Sequence, residues 1–362
     1  MTPEIAPLEP AVPFSHLEPT GGRLGAKAED FVVDEVLDRQ LEGSGEHRLV
    51  RIEKIECTTR DAILQIAKAA GIRDRDIGSA GLKDKHAVCT QWLSLPARSA
   101  PPAEWPTLRG IRVLEHDLDR TKLRTGQLRG NRFRLRLVEV GPDALSRAQA
   151  VADALQTEGL LNLFGVQRFG AGGANLGRAL EWVKNGAKRR VSRFEAKFFP
   201  SVVQAEVFNR YALARQARGL DRLMPGEVVR LAGVRSMFVV EDPDRELGRL
   251  KERDIFLTGP ILGPKTRQAE AEAQTLEQEI CAQLDLDADA RATLARLAPG
   301  TRRDLIVFPE SLRVEAPLAG ELILDFFLPA GSYATEVLRA FTHQPFFANR
   351  GHERDDASAA DP

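Results

Sequence analysis

Apolar and polar positions alternate most regularly at Arg132-Phe133-Arg134-Leu135-Arg136-Leu137. Period-two alternation puts Phe133, Leu135 and Leu137 on one face and the arginines on the other, which predicts a strand. β-Branched and apolar runs bounded by turn residues predict further strands at 31–33, 49–55, 91–95 and 322–328. Helical spacing appears at 59–70, where Ile63, Ile66, Ala67 and Ala70 form an apolar stripe. Thr58 or Thr59 can cap that helix and Gly71 stops it. Helices are also predicted at 143–157 and 175–184, stopped by Gly159 and Gly186. Near residue 188 the chain turns basic and loop-like, with Lys188, Arg189, Arg190 and Arg193, and a domain boundary is expected there. Beyond it, to about 309, the pattern predicts an amphipathic helical stretch at 208–216, short strands near Val228 and at 237–240, and a long charged helix at 267–284. Ser332 reads as the cap of a helix through Phe341.

Residues 1–22 are rich in Pro and Gly and read as an irregular arm, and the small polar residues 351–362 read as a disordered tail. No internal repeat is apparent. Strands and helices in this mixture predict an α/β (α+β) protein, and 362 residues suit two domains or one large one.

Composition changes this picture little. An apolar fraction of 43% supports a real core. Against 51 basic residues stand 52 acidic ones, a net charge of −1, so any nucleic-acid surface has to be local. One local candidate is 120–136, which holds Arg120, Lys122, Arg124, Arg129, Arg132, Arg134 and Arg136 and no acid. A solvated face and a phosphate-contacting face both fit it. Cys57, Cys89 and Cys281 are too few and too scattered for a disulfide framework or a zinc site, which fits a reducing cytoplasm. Neither a secretory leader nor an apolar run long enough to span a membrane is expected. With no Walker loop, GxGxxG or paired histidine ligands, no cofactor and no metal are expected, and no obligate protein partner is evident.

The stretch Ala80-Gly81-Leu82-Lys83-Asp84-Lys85-His86-Ala87 sets one carboxylate between two lysines, with a histidine next along. Nearby cations favour the ionised form of a carboxylate, which can then anchor, accept a proton or attack as a nucleophile. Taken alone, a solvated charged turn after Gly81 accounts for it. Three other segments give it weight: Glu29-Asp30-Phe31-Val32-Val33-Asp34-Glu35, Asn162-Leu163-Phe164-Gly165-Val166-Gln167-Arg168-Phe169-Gly170, and Leu328-Pro329-Ala330-Gly331-Ser332-Tyr333-Ala334-Thr335. In this order and spacing the four segments resemble the TruD family of pseudouridine synthases, over roughly residues 29–341.

That resemblance implies isomerisation of a uridine in tRNA, typically the one at position 13, without cofactor. It implies a V-shaped enzyme: a catalytic pseudouridine synthase domain with a mixed sheet from residues 1–187 and 310–350, and an inserted α/β TRUD domain at 188–309. Asp84 matches the catalytic aspartate, which attacks sugar or base or assists glycosidic cleavage. Of Lys83 and Lys85, one would hold the carboxylate ionised and the other contact phosphate. In an extended segment both point away from the face of Asp84, which leaves room for a partner from elsewhere. His86 is open to structural, RNA-contacting or catalytic roles.

Phe164 matches the phenylalanine that packs on the target base, and Asn162 the asparagine close to the aspartate. A core position fits Phe164 as well, although Asn162 and Gly165 favour a tight turn there. Arg168 can pair with phosphate or with an internal carboxylate. Phe31 and Glu35 match a pocket-lining motif, while Phe31 alone reads as strand core. The chain departs from the pattern upstream of Phe31: Gly25 and Ala28 stand where relatives carry a basic residue and a proline, with Arg23 and Lys27 nearby. Gly331 and Ser332 match the late motif beneath the site. A buried uracil is out of reach inside a helix, so the target base has to be flipped or unstacked, and recognition would rest on shape, phosphate and stacking. Three other readings stay open: a pseudouridine synthase for another RNA, a catalytically silent RNA-binding protein, and a carboxylate hydrolase whose second acid is not apparent.

Overall fold

The structure is a computed structural model that describes residues 8, 10–98, 105–165, 168–170 and 173–344. The expected tail at 351–362 lies outside the described residues. Up to Gly159 the chain forms β1 (Gly21–Leu24), β2 (Phe31–Val36), β3 (His47–Lys54), α1 (Thr59–Ala69), β4 (Gly78–Ser79), β5 (Val88–Pro96), β6 (Ile111–Asp119), β7 (Gly130–Val140) and α2 (Ala144–Thr157). It continues through β8 (Leu160–Leu161), α3 (Ala174–Lys184), α4 (Arg193–Ala217), β9 (Val228–Leu231), β10 (Met237–Val239), α5 (Pro243–Lys251), β11 (Ile255–Ile261), α6 (Ala271–Gln283), α7 (Ala288–Leu297), β12 (Thr301–Asp304) and β13 (Ile306–Val307). β14 (Glu310–Glu315), β15 (Glu321–Pro329) and α8 (Ala334–Thr342) close it. Among the described residues two compact units result, one of residues 13–159 and 308–344, the other centred on 160–307.

The first unit is built on a nine-stranded mixed sheet of order β14-β15-β7-β2-β5-β3-β6, with β1 added on β7 and β4 on β5. β2 and β5 run parallel, which brings Phe31 and Glu35 alongside the strand that follows Asp84. β7 alternates as its sequence requires: Phe133, Leu135 and Leu137 are buried, Arg132 and Arg134 exposed. Its arginine face is largely neutralised within the protein. Arg134 lies opposite Asp325 of β15 and bonds it at 2.7 Å. Arg136 reaches Glu321 at 2.5 Å, Arg129 reaches Glu310 at 2.6 Å and Arg120 reaches Glu42 at 2.6 Å. α1 starts on Thr58, whose Oγ1 accepts from the Asp61 amide at 3.0 Å. Its buried Ala62, Ile66 and Ala67 pack on Val50, Ile52, Leu93 and Leu95 of β3 and β5.

The main run of the second packing unit is 160–307. Leu163, Phe169, Leu176, Leu180 and Val183 share one core with Phe199, Phe208 and Tyr211 of α4. The partner of α3 is therefore α4, and the basic loop at 188–193 connects two helices of the same packing unit. α4 is a single 25-residue helix where only 208–216 was expected. Residues 202–209 are all buried, so no polar face marks the 3.6-residue period, and Pro200 inside the helix argues locally against one. Ser192 starts it, its Oγ accepting from the Glu195 amide at 3.1 Å. The antiparallel sheet β10-β9-β11-β12 packs against this helix. At α8 the expected cap is displaced. Tyr333 occupies the capping position, and its side chain does not cap the helix. Ser332 instead donates its amide to the Pro329 carbonyl at 3.2 Å, closing a turn that Gly331 permits with φ +86°.

Candidate active site

The segment 80–87 is tied down almost entirely through its backbone. The Gly126 amide donates to the Ala80 carbonyl at 2.8 Å, and the Lys83 amide donates to Thr59 Oγ1 at 2.9 Å. The Asp84 carbonyl accepts from Lys54 Nζ at 2.5 Å. Lys54 has no exposed surface, and its ammonium also bonds the Cys57 carbonyl at 2.7 Å. Burial pushes the Lys54 ammonium below its ordinary pKa, and the nearby Cys89, Cys57 and Asp84 push back. One side-chain oxygen of Asp84 accepts from the His86 amide two residues on, at 2.8 Å, which makes an Asx-turn. Asp84 itself is exposed. The result is a carboxylate presented to solvent on a loop whose main chain is anchored from below.

The two lysines diverge. Lys83 turns inward and forms a buried ion pair with Glu35, whose other oxygen accepts from the Trp92 amide at 3.0 Å. Glu35 is 2% exposed, so this carboxylate is a buried strut for the loop. Lys85 is exposed. His86 Nδ1 lies 3.1 Å from Glu56 Oε2. Phe31 is buried and continues an aromatic row, 6.4 Å from Phe133, which stacks on Phe326 at 5.4 Å. Of the two cations near the departure from pattern, Arg23 is bonded to Glu139 at 3.0 and 2.6 Å. The Lys27 amide donates to the buried Asp30 at 2.9 Å.

Asn162, Phe164 and Arg168 belong to the second unit. Val166 and Gln167 lie outside the described residues. Asn209 on α4 clamps Phe164: its Oδ1 accepts from the Phe164 amide and its Nδ2 donates to the Phe164 carbonyl, each at 2.9 Å. The half-buried ring meets Phe208 edge-on at 5.6 Å. Arg303 of β12 lies over the ring at 4.3 Å and Arg168 at 5.7 Å. Arg303 also donates from Nε to the Asn162 carbonyl at 2.9 Å and from Nη2 to Asn162 Oδ1 at 2.5 Å. Arg168 bonds Ser201 Oγ at 3.3 Å. Phe164 thus offers a flat face whose backbone is fixed and whose charge surroundings are cationic.

The chain matches the family model described as tRNA pseudouridine synthase D (TruD) over residues 11–180 and 182–341. The chain belongs to the TruD family. It is 41% identical to the tRNA pseudouridine synthase D of Anaeromyxobacter sp. (strain Fw109-5), a match spanning 90% of this chain and 93% of that protein. To a tRNA pseudouridine synthase D of Thermus thermophilus it is 38% identical, over 88% of each chain. A crystal structure of a TruD-type protein from Methanosarcina mazei has the same fold: TM-score 0.70, 21% identity, covering 94% of this chain and 97% of that one.

Within this TruD framework three residues escaped the sequence reading. Lys54 left a trace, since it falls on the inward face of β3 with Val50 and Ile52, where period-two alternation calls for an apolar residue. Asn209 closes the buried run 202–209 of α4, where Gln204 and Glu206 are polar as well, so its type alone does not set it apart. Arg303 left no trace beside its neighbour Arg302, and only the pairing of β12 with β11 and the path of residue 162 bring it to Phe164. No group of His, Cys, Asp and Glu among the described residues has a metal-binding arrangement, and none of the described helices is long and apolar enough to cross a membrane.

Proposed function

We propose that this chain converts a uridine of tRNA, the one at position 13, to pseudouridine in the cytoplasm, with Asp84 as the catalytic carboxylate. The observation that carries this reading is Asp84 itself: an exposed carboxylate on a backbone-anchored loop, in a chain of the TruD family. In the reaction the N1–C1′ bond of the nucleoside breaks and a C5–C1′ bond forms. C5 gives up a proton and N1 gains one, so nothing is oxidised and no group is transferred to a second molecule. Asp84 supplies the negative charge needed as the glycosidic bond opens. Lys54, Thr59 and the Lys83–Glu35 pair hold its loop still, which spares the reaction a reorganisation cost. Phe164 offers a base a stacking surface, and Arg168 and Arg303 make that surface favourable for an anionic nucleic acid.

The test uses unmodified tRNA without cofactor, with pseudouridine mapped by chemical labelling and primer extension. Wild-type protein modifies position 13. Asp84→Asn makes no product while keeping its thermal transition and tRNA affinity, since the change is nearly isosteric and the site exposed. Substantial turnover by Asp84→Asn would reject the assignment of Asp84, and modification of a different uridine would reject position 13.

A further inference from the structure

One face of the second unit concentrates positive charge that no described residue answers. Lys188, Arg189, Arg190, Arg193 and Lys197 are all exposed, and none makes an ion pair among the described residues. From 186 to 198 the only acid is Glu195. Its carboxylate is already committed, accepting from the Ser192 amide and hydroxyl at 3.0 Å each and pairing with Arg178. The Ser192 amide bond holds that carboxyl below the usual range, against the effect of partial burial. In a protein of net charge −1 this is a local excess, not a general one.

The same face carries an exposed aromatic. Phe194 is 44% exposed and stacks on Phe198 one helical turn along α4, with centroids 5.2 Å apart and planes 16° off parallel. The Arg168 guanidinium lies 6.0 Å from the Phe198 ring and 5.7 Å from Phe164. Phe194, Phe198, Arg168 and Phe164 therefore form one row of flat groups, leading from the candidate stacking face to the surface. Arg193 and Lys197 stand four residues apart, on adjoining positions of the same helix. A single exposed Phe on a helix needs no explanation. A stacked pair in line with Phe164 and beside these five cations has the composition of a single-stranded nucleic-acid platform, where rings take base faces and cations follow the backbone.

We propose that this face is a second RNA contact: an unpaired base of the tRNA stacks on Phe194, and Arg190, Arg193 and Lys197 hold the adjoining phosphates. The inference rests on the tRNA reading above and adds to it a binding role for residues outside the four family segments.

Binding of unmodified tRNA to the full chain is measured over a salt series, with turnover measured in parallel. Phe194→Ala should weaken binding between about 5-fold and about 150-fold at fixed salt, the range of one lost stacked base, and leave the salt slope unchanged. Phe194→Trp should bind as wild type, whereas Phe194→Leu, which keeps apolar packing without a flat face, should behave like Phe194→Ala. The double variant Arg193→Gln/Lys197→Gln should flatten the slope of log affinity against log salt by about 1.4–1.8, two phosphate contacts. If Phe194→Ala and the double variant both bind like wild type while wild type forms pseudouridine, this surface is not an RNA contact and the enzyme reading stands. If Phe194→Leu restores binding, Phe194 acts by packing and the stacking proposal fails. If wild type neither binds tRNA nor makes pseudouridine, it is the underlying reading that fails.

Discussion

Lys54 is a lysine at a position whose neighbours are apolar, and its surroundings explain why it is tolerated. A buried ammonium is costly unless its donors are satisfied, and Lys54 bonds the carbonyls of Cys57 and Asp84. Lys54→Met keeps the bulk and deletes the donor. The Asp84 loop should then drift, and a displacement of about 1 Å can cost on the order of 100-fold in turnover. We expect kcat to fall on that scale with little change in KM, and Lys54→Arg to recover part of it. Wild-type kcat in Lys54→Met would remove Lys54 from any positioning role. The pH dependence has a definite sign. The folded-state pKa of Lys54 is lowered, so in the window just below 10.5 the unfolded chain binds the extra proton. Stability from this group rises with pH through that window, and denaturant titrations should lose this component in Lys54→Met. Phe164 permits a similarly clean test, because Asn209 holds its backbone and not its ring. Phe164→Ala should cost about 1–3 kcal/mol of stacking and lower turnover strongly, with Phe164→Tyr milder. A variant that melts much earlier yet turns over normally when folded would return Phe164 to the core.

At the scale of elements, β7 and α4 make opposite points. The arginines of β7 looked equally suited to solvent and to phosphate, and β15 supplies acids to two of them. Arg134→Gln/Arg136→Gln should therefore leave the salt slope of tRNA binding unchanged and lower the thermal transition only slightly, because water screens these exposed pairs. A slope flattened by these changes would show that RNA displaces Asp325 and Glu321. α4 carries a different kind of pair. Arg215 and Glu227 are fully buried and 2.7 Å apart. The Met224 amide also donates to the same carboxylate at 3.1 Å. Arg215→Met leaves Glu227 buried without its cation, a loss of about 3–5 kcal/mol, readable as a lower urea midpoint at unchanged m-value.

At the scale of the molecule, the cores of the two packing units differ in continuity. Residues 160–307 form one uninterrupted stretch with its own core. The other unit needs β14 and β15 from the far end of the chain, because β15 pairs with β7 along its whole length. Expressed alone, 160–307 should unfold in one cooperative transition. A fragment ending at 159 would expose the long edge of β7 and should aggregate. If the 160–307 fragment is unfolded by circular dichroism while the fragment ending at 159 is monomeric and cooperative, the packing division is drawn wrongly.

Local pattern was enough for much of this protein. The alternation at 132–137 makes a strand in any environment that buries one face, and Thr58, Asp61 and the stripe through Ile66 make a helix by themselves. Four short segments in order were enough to point to the TruD family. Where burial is complete, the pattern says less: α4 has no polar face along 202–209, and only 208–216 shows helical spacing. Long-range pairing was out of reach altogether. That Lys54 lies under Asp84, that Lys83 turns to Glu35, that Arg303 covers Phe164 and that Asp325 answers Arg134 depend on strands far apart in sequence meeting in register. Residue types and spacing carry the chemistry available to a chain, whereas each group's partner is decided by tertiary contacts that no local window contains.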